Sequence, residues 1–459
     1  MFFKILFIVL ISLTPTVNAL KIEISRGMFS PDPIAIQDFF GEWKGELSIG
    51  RELSKIISSD LELSGLFAPI DASKFLESQR DLSVRGPNLR NWRVINARFL
   101  VYGSVKIGIG SITVKFTLFD VVTEERMLLL EVKGAKSELR KIAHIIADYI
   151  YERITNEKGY FNTNIIYVET ANDKESSKRT TRLVMVDQDG HNRICLTDDR
   201  ELNLTPRYSR DGKMIAFVSY RDNAKNDALG KSAHVYIMYL DSRSRRLMLG
   251  EAMMKKLIKE NHGNPVRMTY APRFSPDGEW AVFAIIIDGK SAIYGINFVD
   301  NKLIQLTPHD CINTSPDFSS DGKYIVFTSN RDGKEKIYTM NRDGSNVRKI
   351  SLGDGKYSQP VWSPRGDLIA CSKQKGGRFS ICLMKPDGSG ERTIASEYLA
   401  EAPCWSSNGR YIAYTKQSGP KDKPGIEVID ITGQHTRGIP VPNDASYPAW
   451  SPTPILARQ

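Results

Sequence analysis

A four-residue phrase (proline, any residue, an aromatic, serine) recurs six times between residues 206 and 451. Its copies are Pro206-Arg207-Tyr208-Ser209, Pro272-Arg273-Phe274-Ser275, Pro316-Asp317-Phe318-Ser319, Pro360-Val361-Trp362-Ser363, Pro403-Cys404-Trp405-Ser406 and Pro448-Ala449-Trp450-Ser451. Successive prolines stand 66, 44, 44, 43 and 45 residues apart. A period near 44 residues in strand-rich sequence marks a β-propeller with one blade per repeat. The repeat commits about two-thirds of the chain to an all-β ring and turns the functional question from catalysis toward binding.

One unit shows the blade. Asp317-Phe318-Ser319 is a short strand, and Ser320-Asp321-Gly322-Lys323 is a turn whose Gly322 supplies a positive φ. Tyr324–Thr328 is β-branched and aromatic, a strand buried on both faces. Lys336–Met340 and Val347–Ser351, around the turn Arg342-Asp343-Gly344-Ser345, complete four antiparallel strands. Turns after first and third strands therefore share one end of the ring and are tight Asp-Gly turns. Connections after second and fourth strands share the other end and are long. The spacing of 66 comes from two insertions, Asn223–Ser232 and Gly250–Tyr270, expected as loops at that second end. Variable loops on a rigid scaffold concentrate binding residues. The last phrase has no second strand after it, and Asn164–Glu169 resembles the missing one. The segment Ile165–Val168 is thus expected to pair with the strand of Trp450 and close a ring of six blades.

Residues 20–160 carry no repeat. Ile22-Glu23-Ile24 and Ile34-Ala35-Ile36 read as strands, Glu46–Leu61 as an amphipathic helix, Ala97–Val105, Ser111–Val121 and Arg126–Val132 as a meander, and Ser137–Ile154 as a second helix. The expected architecture is an α/β N-terminal domain over residues 20–160, followed by an all-β six-bladed β-propeller over residues 161–459. Asn156–Asn164 reads as a short linker between them. Ahead of both, Lys4, the apolar run Ile5–Leu13 and Val17-Asn18-Ala19 form a secretory signal peptide, residues 1–19, cut near Ala19. The run is too short to span a bilayer, so export without direct membrane insertion is expected.

The formal charge of +10 raises nucleic acid as a partner. The lysines and arginines are scattered through every blade with no aromatic–basic platform, so no nucleic-acid partner is expected. A local excess, Lys225, Lys231, Lys255, Lys256, Lys259 and Arg267, marks the insertions and fits an acidic partner and a solvated loop equally. Five cysteines make a poor disulfide framework. Cys371 and Cys382 face each other across a Gly376-Gly377 turn as a hydrogen-bonded pair, whose Cα separation strains a disulfide, so free thiols are expected. No Gly-x-Ser-x-Gly elbow occurs, none of the six histidines has metal-ligand spacing, and no glycine loop for phosphate follows a strand. Asp187-Gln188-Asp189-Gly190 places its glycine too early for a calcium loop and reads as a hairpin turn. Catalytic, metal and cofactor sites are accordingly expected to be none. A propeller hydrolase or lyase would need converging acids or a metal on the first strands, and a sugar-binding propeller would need exposed aromatics on the long loops.

Further marks are Ile22-Glu23-Ile24-Ser25-Arg26-Gly27, Pro31-Asp32-Pro33-Ile34-Ala35-Ile36, Ile165-Ile166-Tyr167-Val168 and the terminal Tyr447-Pro448-Ala449-Trp450-Ser451-Pro452. With these and the blade phrases, the chain resembles the TolB family, the periplasmic component of the Tol–Pal system of Gram-negative bacteria, over essentially everything after the signal. The resemblance implies a non-enzymatic periplasmic scaffold, monomeric alone. It would bind the lipoprotein Pal at the loop-bearing propeller mouth and the C-terminal domain of TolA through its N-terminal segment, supporting outer-membrane integrity and constriction at cell division. The Pal-facing residues it implies are Asn313, Thr314 and Ser315, then Tyr357, Ser358 and Gln359, then Glu401 and Ala402. The TolA-facing residues are Ile22, Glu23, Ile24, Ser25 and Arg26. The long Asn261–Tyr270 segment departs from a short family loop.

Overall fold

Asp32–Ile36 (β1) is the strand around which the N-terminal domain is built. Ile34, Ala35 and Ile36 are all buried, so both faces of the strand are covered. The structure, a computed structural model, describes residues 30–172, 179–198, 201–220 and 233–452. Phe67–Pro69 (β2) and Phe99–Ile107 (β3) flank β1 in parallel. Ser111–Asp120 (β4) and Glu125–Ala135 (β5) continue the expected antiparallel meander, giving the order β2-β1-β3-β4-β5. Parallel neighbours need a crossover, and Lys44–Leu63 (α1) provides the one between β1 and β2. Two short helices that the apolar pattern did not reveal, Gln79–Arg85 (α2) and Leu89–Val94 (α3), put Leu82 and Trp92 against Ala35 on one face. On the other face α1 and Leu139–Thr155 (α4) cover Ile34 and Ile36.

The first strands of the six blades are Leu202–Tyr208, Val266–Phe274, Asn313–Phe318, Lys356–Trp362, Leu399–Trp405 and Asp444–Trp450. Each touches the next around the ring, and the last touches the first. Each opens an antiparallel four-stranded blade, and a single parallel bridge, Ala233 to Met268, joins two neighbouring blades into one eight-stranded sheet. The closing pairing is the expected one: Trp450 lies opposite Ile165, Ala449 opposite Ile166 and Ser446 opposite Val168.

The recurring serine and aspartate have a local explanation. Ser319 Oγ donates to Asp321 Oδ1 at 2.6 Å and accepts from the Tyr324 amide at 2.9 Å, while Asp321 takes the Lys323 amide at 3.1 Å. The pair ties a first strand to its second across a turn that needs Gly322 at φ 71°. Ser209 with Asp211 repeats the bonds, and Asn408 replaces the aspartate beside Ser406. Cys371 and Cys382 are opposite, buried and free, with Gly376 and Gly377 both at positive φ between them.

One expectation is corrected. Gly250–Tyr270 is no open loop: Glu251–Glu260 is a helix (α5), and the first strand begins at Val266. Met254 and Leu257 of α5 are buried on the neighbouring blades, while Lys255, Lys256 and Lys259 form its outer face. That part of the basic excess is therefore the wet side of an amphipathic helix; Lys225 and Lys231, like all of Asn223–Ser232, lie outside the described residues. The short linker lies where expected, between Thr155 and Asn164, and is packed into the core. Tyr160 and Phe161 are fully buried, and Tyr160 packs on Tyr411 and Trp450 of the ring at 4.6 and 5.9 Å between centroids. One continuous core runs from α1 and α4 into the blades of Tyr411 and Trp450.

Candidate functional site

Every first strand breaks at its proline. Proline has no N–H to give the neighbouring strand, and the register shifts there in all six blades. The residue before each proline, Thr205, Ala271, Ser315, Gln359, Ala402 or Tyr447, holds φ between 49° and 54°. Left-handed backbone at a non-glycine residue costs roughly 1–3 kcal/mol and persists only where its surroundings enforce it. A bulge re-aims the strand, so each first strand has a half facing the long connections, here called the mouth, and a half leading to the Asp-Gly turns.

The Pal-facing residues implied by the resemblance all fall on the mouth half of three successive first strands. Thr314, Ser315, Ser358, Gln359 and Glu401 are half-buried at corresponding positions, two and one before the proline. Asn313, Tyr357 and Ala402 are buried. Asn313 Oδ1 accepts from Arg331 at 3.0 Å and its Nδ2 donates to the Pro308 carbonyl at 3.2 Å. The Tyr357 hydroxyl donates to Glu391 at 2.9 Å, with Lys336 and Lys373 each 4.9 Å from its ring. Both brace the strands that present their neighbours. Gln359 Oε1 accepts the Ala402 amide at 2.7 Å and so links two blades at the rim. Burial pushes the Glu401 carboxyl above its ordinary range. Ile22, Glu23, Ile24, Ser25 and Arg26 lie outside the described residues.

The other end of the ring is occupied. The Tyr411 hydroxyl donates to the Ser64 carbonyl at 2.6 Å, His435 Nε2 stands 3.2 Å from the Leu63 carbonyl, and Asn408 Nδ2 donates to the Lys158 carbonyl at 3.0 Å. Gly65 sits at φ 70° so close to the His435 ring that a Cβ would stand 2.6 Å from it. All these ring residues lie on or beside the tight turns of the blade of Tyr411, so the N-terminal domain docks on that side of the turn end.

At the centre of the docked interface is a charged cluster that no sequence spacing revealed. His144 of α4 is 2.7 Å from Asp60 of α1 through Nδ1 and 3.7 Å from Asp187 of the ring through Nε2. Arg140 pairs with Asp189, and Gln188 Nε2 donates to the second Asp60 oxygen at 3.1 Å. Burial disfavours the His144 charge, but the carboxylates of Asp60 and Asp187 outweigh it and hold the imidazole up to about 10. Asp60, His144 and Asp189 have the chemistry of a metal triad; each is committed to an ion pair here, and together they lock the domains. Asp187–Gly190 itself is the expected hairpin turn, with the Gly190 amide on the Asp187 carbonyl at 2.8 Å.

Among the described residues no helix is long and apolar enough to cross a membrane. The TolB amino-terminal domain model matches residues 20–127, and the TolB beta propeller domain model matches residues 151–454. The chain is 39% identical to the Tol-Pal system protein TolB of Rickettsia rickettsii (strain Sheila Smith), over 97% of this chain and 98% of the relative. The crystal structure of TolB from Acinetobacter baumannii superposes with a TM-score of 0.78 at 22% identity, covering 92% of this chain and 97% of that one. Both domain models match in the order that the fold shows, and the relative aligns from end to end: the chain belongs to the TolB family and is a component of a Tol–Pal system.

Proposed function

We propose that this chain is a non-enzymatic periplasmic scaffold, exported by residues 1–19 and divided into domains at residues 20–160 and 161–459. It binds the Pal lipoprotein at the propeller mouth and the TolA C-terminal domain through residues before β1, in support of outer-membrane integrity and cell division. One observation carries the reading: the N-terminal domain docks at the turn end of the ring, and among the described residues it makes no contact with the mouth end, where Thr314, Ser315, Ser358, Gln359 and Glu401 are grouped. A rigid rim of polar groups suits an interface in which a few central residues dominate binding energy.

Two calorimetric tests separate the binding elements. Thr314→Ala combined with Ser315→Lys is expected to weaken binding of the soluble Pal domain at least tenfold, about 1.4 kcal/mol. Lys323→Glu, an exposed change in an Asp-Gly turn at the opposite end, leaves it unchanged. The reverse pattern refutes the assignment of ends. Because β1 already has β2 and β3 on its two sides, the strand-forming sequence Ile22–Arg26 is the part left to add to a partner's sheet edge. Deleting Leu20–Ser30 is expected to abolish binding of the TolA domain and spare binding of the Pal domain. Loss of both, together with loss of the melting transition, would show the segment to be structural.

A further inference from the structure

On the turn side of the six prolines the ring encloses a cavity of about 200 Å³. The residue following each proline lines it: Arg207, Arg273, Asp317, Val361, Cys404 and Ala449. Arg273 Nε stands 3.3 Å from Asp317 Oδ1, and Asp317 Oδ2 accepts the Trp362 amide at 2.7 Å, so both carboxylate oxygens are engaged. Arg207 has no carboxylate among the described residues. Its Nη1 donates to the carbonyls of Pro206 and Pro448 at 2.6 and 3.3 Å, and its buried Nε has no hydrogen-bond partner. Burial pushes the Cys404 thiol up to about 11, so it supplies no compensating charge near neutrality. Two guanidiniums therefore share one carboxylate, and one positive charge is left over in the interior of the ring. Burial, reinforced by the charge of Arg273, draws the Arg207 guanidinium down to about 9. An unpaired buried charge is costly, and a ligand anion relieves that cost.

We propose that this cavity is an oxyanion site, in which a carboxylate or phosphate group is held by Arg207 and Arg273. Guanidinium forks bind such groups with two parallel hydrogen bonds. The volume admits a group of that size, well below the several hundred Å³ of a typical small-molecule pocket. The approach is from the part of the turn end beside the docked domain, where Lys158 and the turn residues Arg210, Asp211 and Asp277 line an adjoining cavity, whereas Glu401 at the mouth disfavours an anion. The oxyanion has two possible sources, a free small anion or an acidic side chain on an inserted peptide.

Thermal denaturation of the purified protein, titrated with sodium acetate, sodium phosphate and a neutral peptide carrying one glutamate, tests the site. Wild-type protein is expected to gain stability along a saturating curve with at least one of the three. Arg207→Gln shifts half-saturation to at least tenfold higher concentration. Asp317→Asn, which frees Arg273 from its internal partner, shifts it several-fold lower. Saturation with acetate or phosphate identifies a free anion as sufficient; saturation with the peptide alone identifies an inserted side chain. Coincident curves for the three proteins, or no saturation with any probe, would overturn the proposal. If Arg207→Gln does not fold, the comparison of Asp317→Asn with wild type decides alone.

Discussion

Removing residues 444–459 is expected to leave a protein with no sharp thermal transition. The deleted Asp444–Trp450 strand makes five ladder pairings with Asn164–Asn172 and touches the first strand of the next blade. Trp450 is buried, donates Nε1 to Thr163 at 2.8 Å, and packs on Tyr160 in the core shared with the N-terminal domain. Truncating a buried tryptophan alone costs about 3–5 kcal/mol, against a net stability of about 5–15 kcal/mol for a typical domain. Losing the whole strand also leaves Asn164–Asn172 as an unpaired sheet edge and uncovers the blades on either side. Circular dichroism should show a broad melt or none. The point change Trp450→Ala should keep a sharp melt at lower temperature. A truncated protein that melts as sharply as the intact one would mean that the ring does not close through this strand.

His144→Gln is expected to cost about 3–5 kcal/mol, the usual penalty for stripping one partner from a buried ion pair, because Asp60 is left fully buried without its cation. The effect carries a pH signature. The folded pKa of about 10 lies above the usual 6.5, so the stabilisation is fully present below about 6.5 and is lost as pH rises toward 10. Arg140 shares the cluster, pairing with Asp187 and Asp189. Denaturant titrations across this window should show a falling stability in the wild type and a flatter one in His144→Gln. Equal slopes in the two proteins would remove His144 from the account of domain docking.

What could be read directly was whatever repeats or alternates. The phrase around each proline located all six first strands, and the orphan character of Pro448–Ser451 located the closing pair. What could not be read was long-range or hidden by local composition. Asp60, His144 and Gln188 are far apart in sequence, and only the docking of α1 and α4 on the ring assembles them. Helix α5 hides its stripe of Met254 and Leu257 among lysines. The short α2 carries its start signal in a capping box, Ser78 with Asp81, rather than in apolar periodicity. At the mouth, Thr, Ala, Ser, Gln and Tyr precede prolines in left-handed backbone with no glycine to announce it. Before that break, ordinary strand alternation decides which implied contact residues face outward: Thr314 and Ser358 are half-buried while Asn313 and Tyr357, one residue earlier, turn into the blade.

The mouth end of the ring is the docking surface proposed for the Pal domain. Hydrogen–deuterium exchange of the protein with and without the soluble Pal domain tests it most directly. New protection is expected over residues 313–315, 357–359 and 401–402, with none over the Asp-Gly turns at 211–213 and 321–323. Protection confined to those turns, with the mouth unchanged, would contradict it.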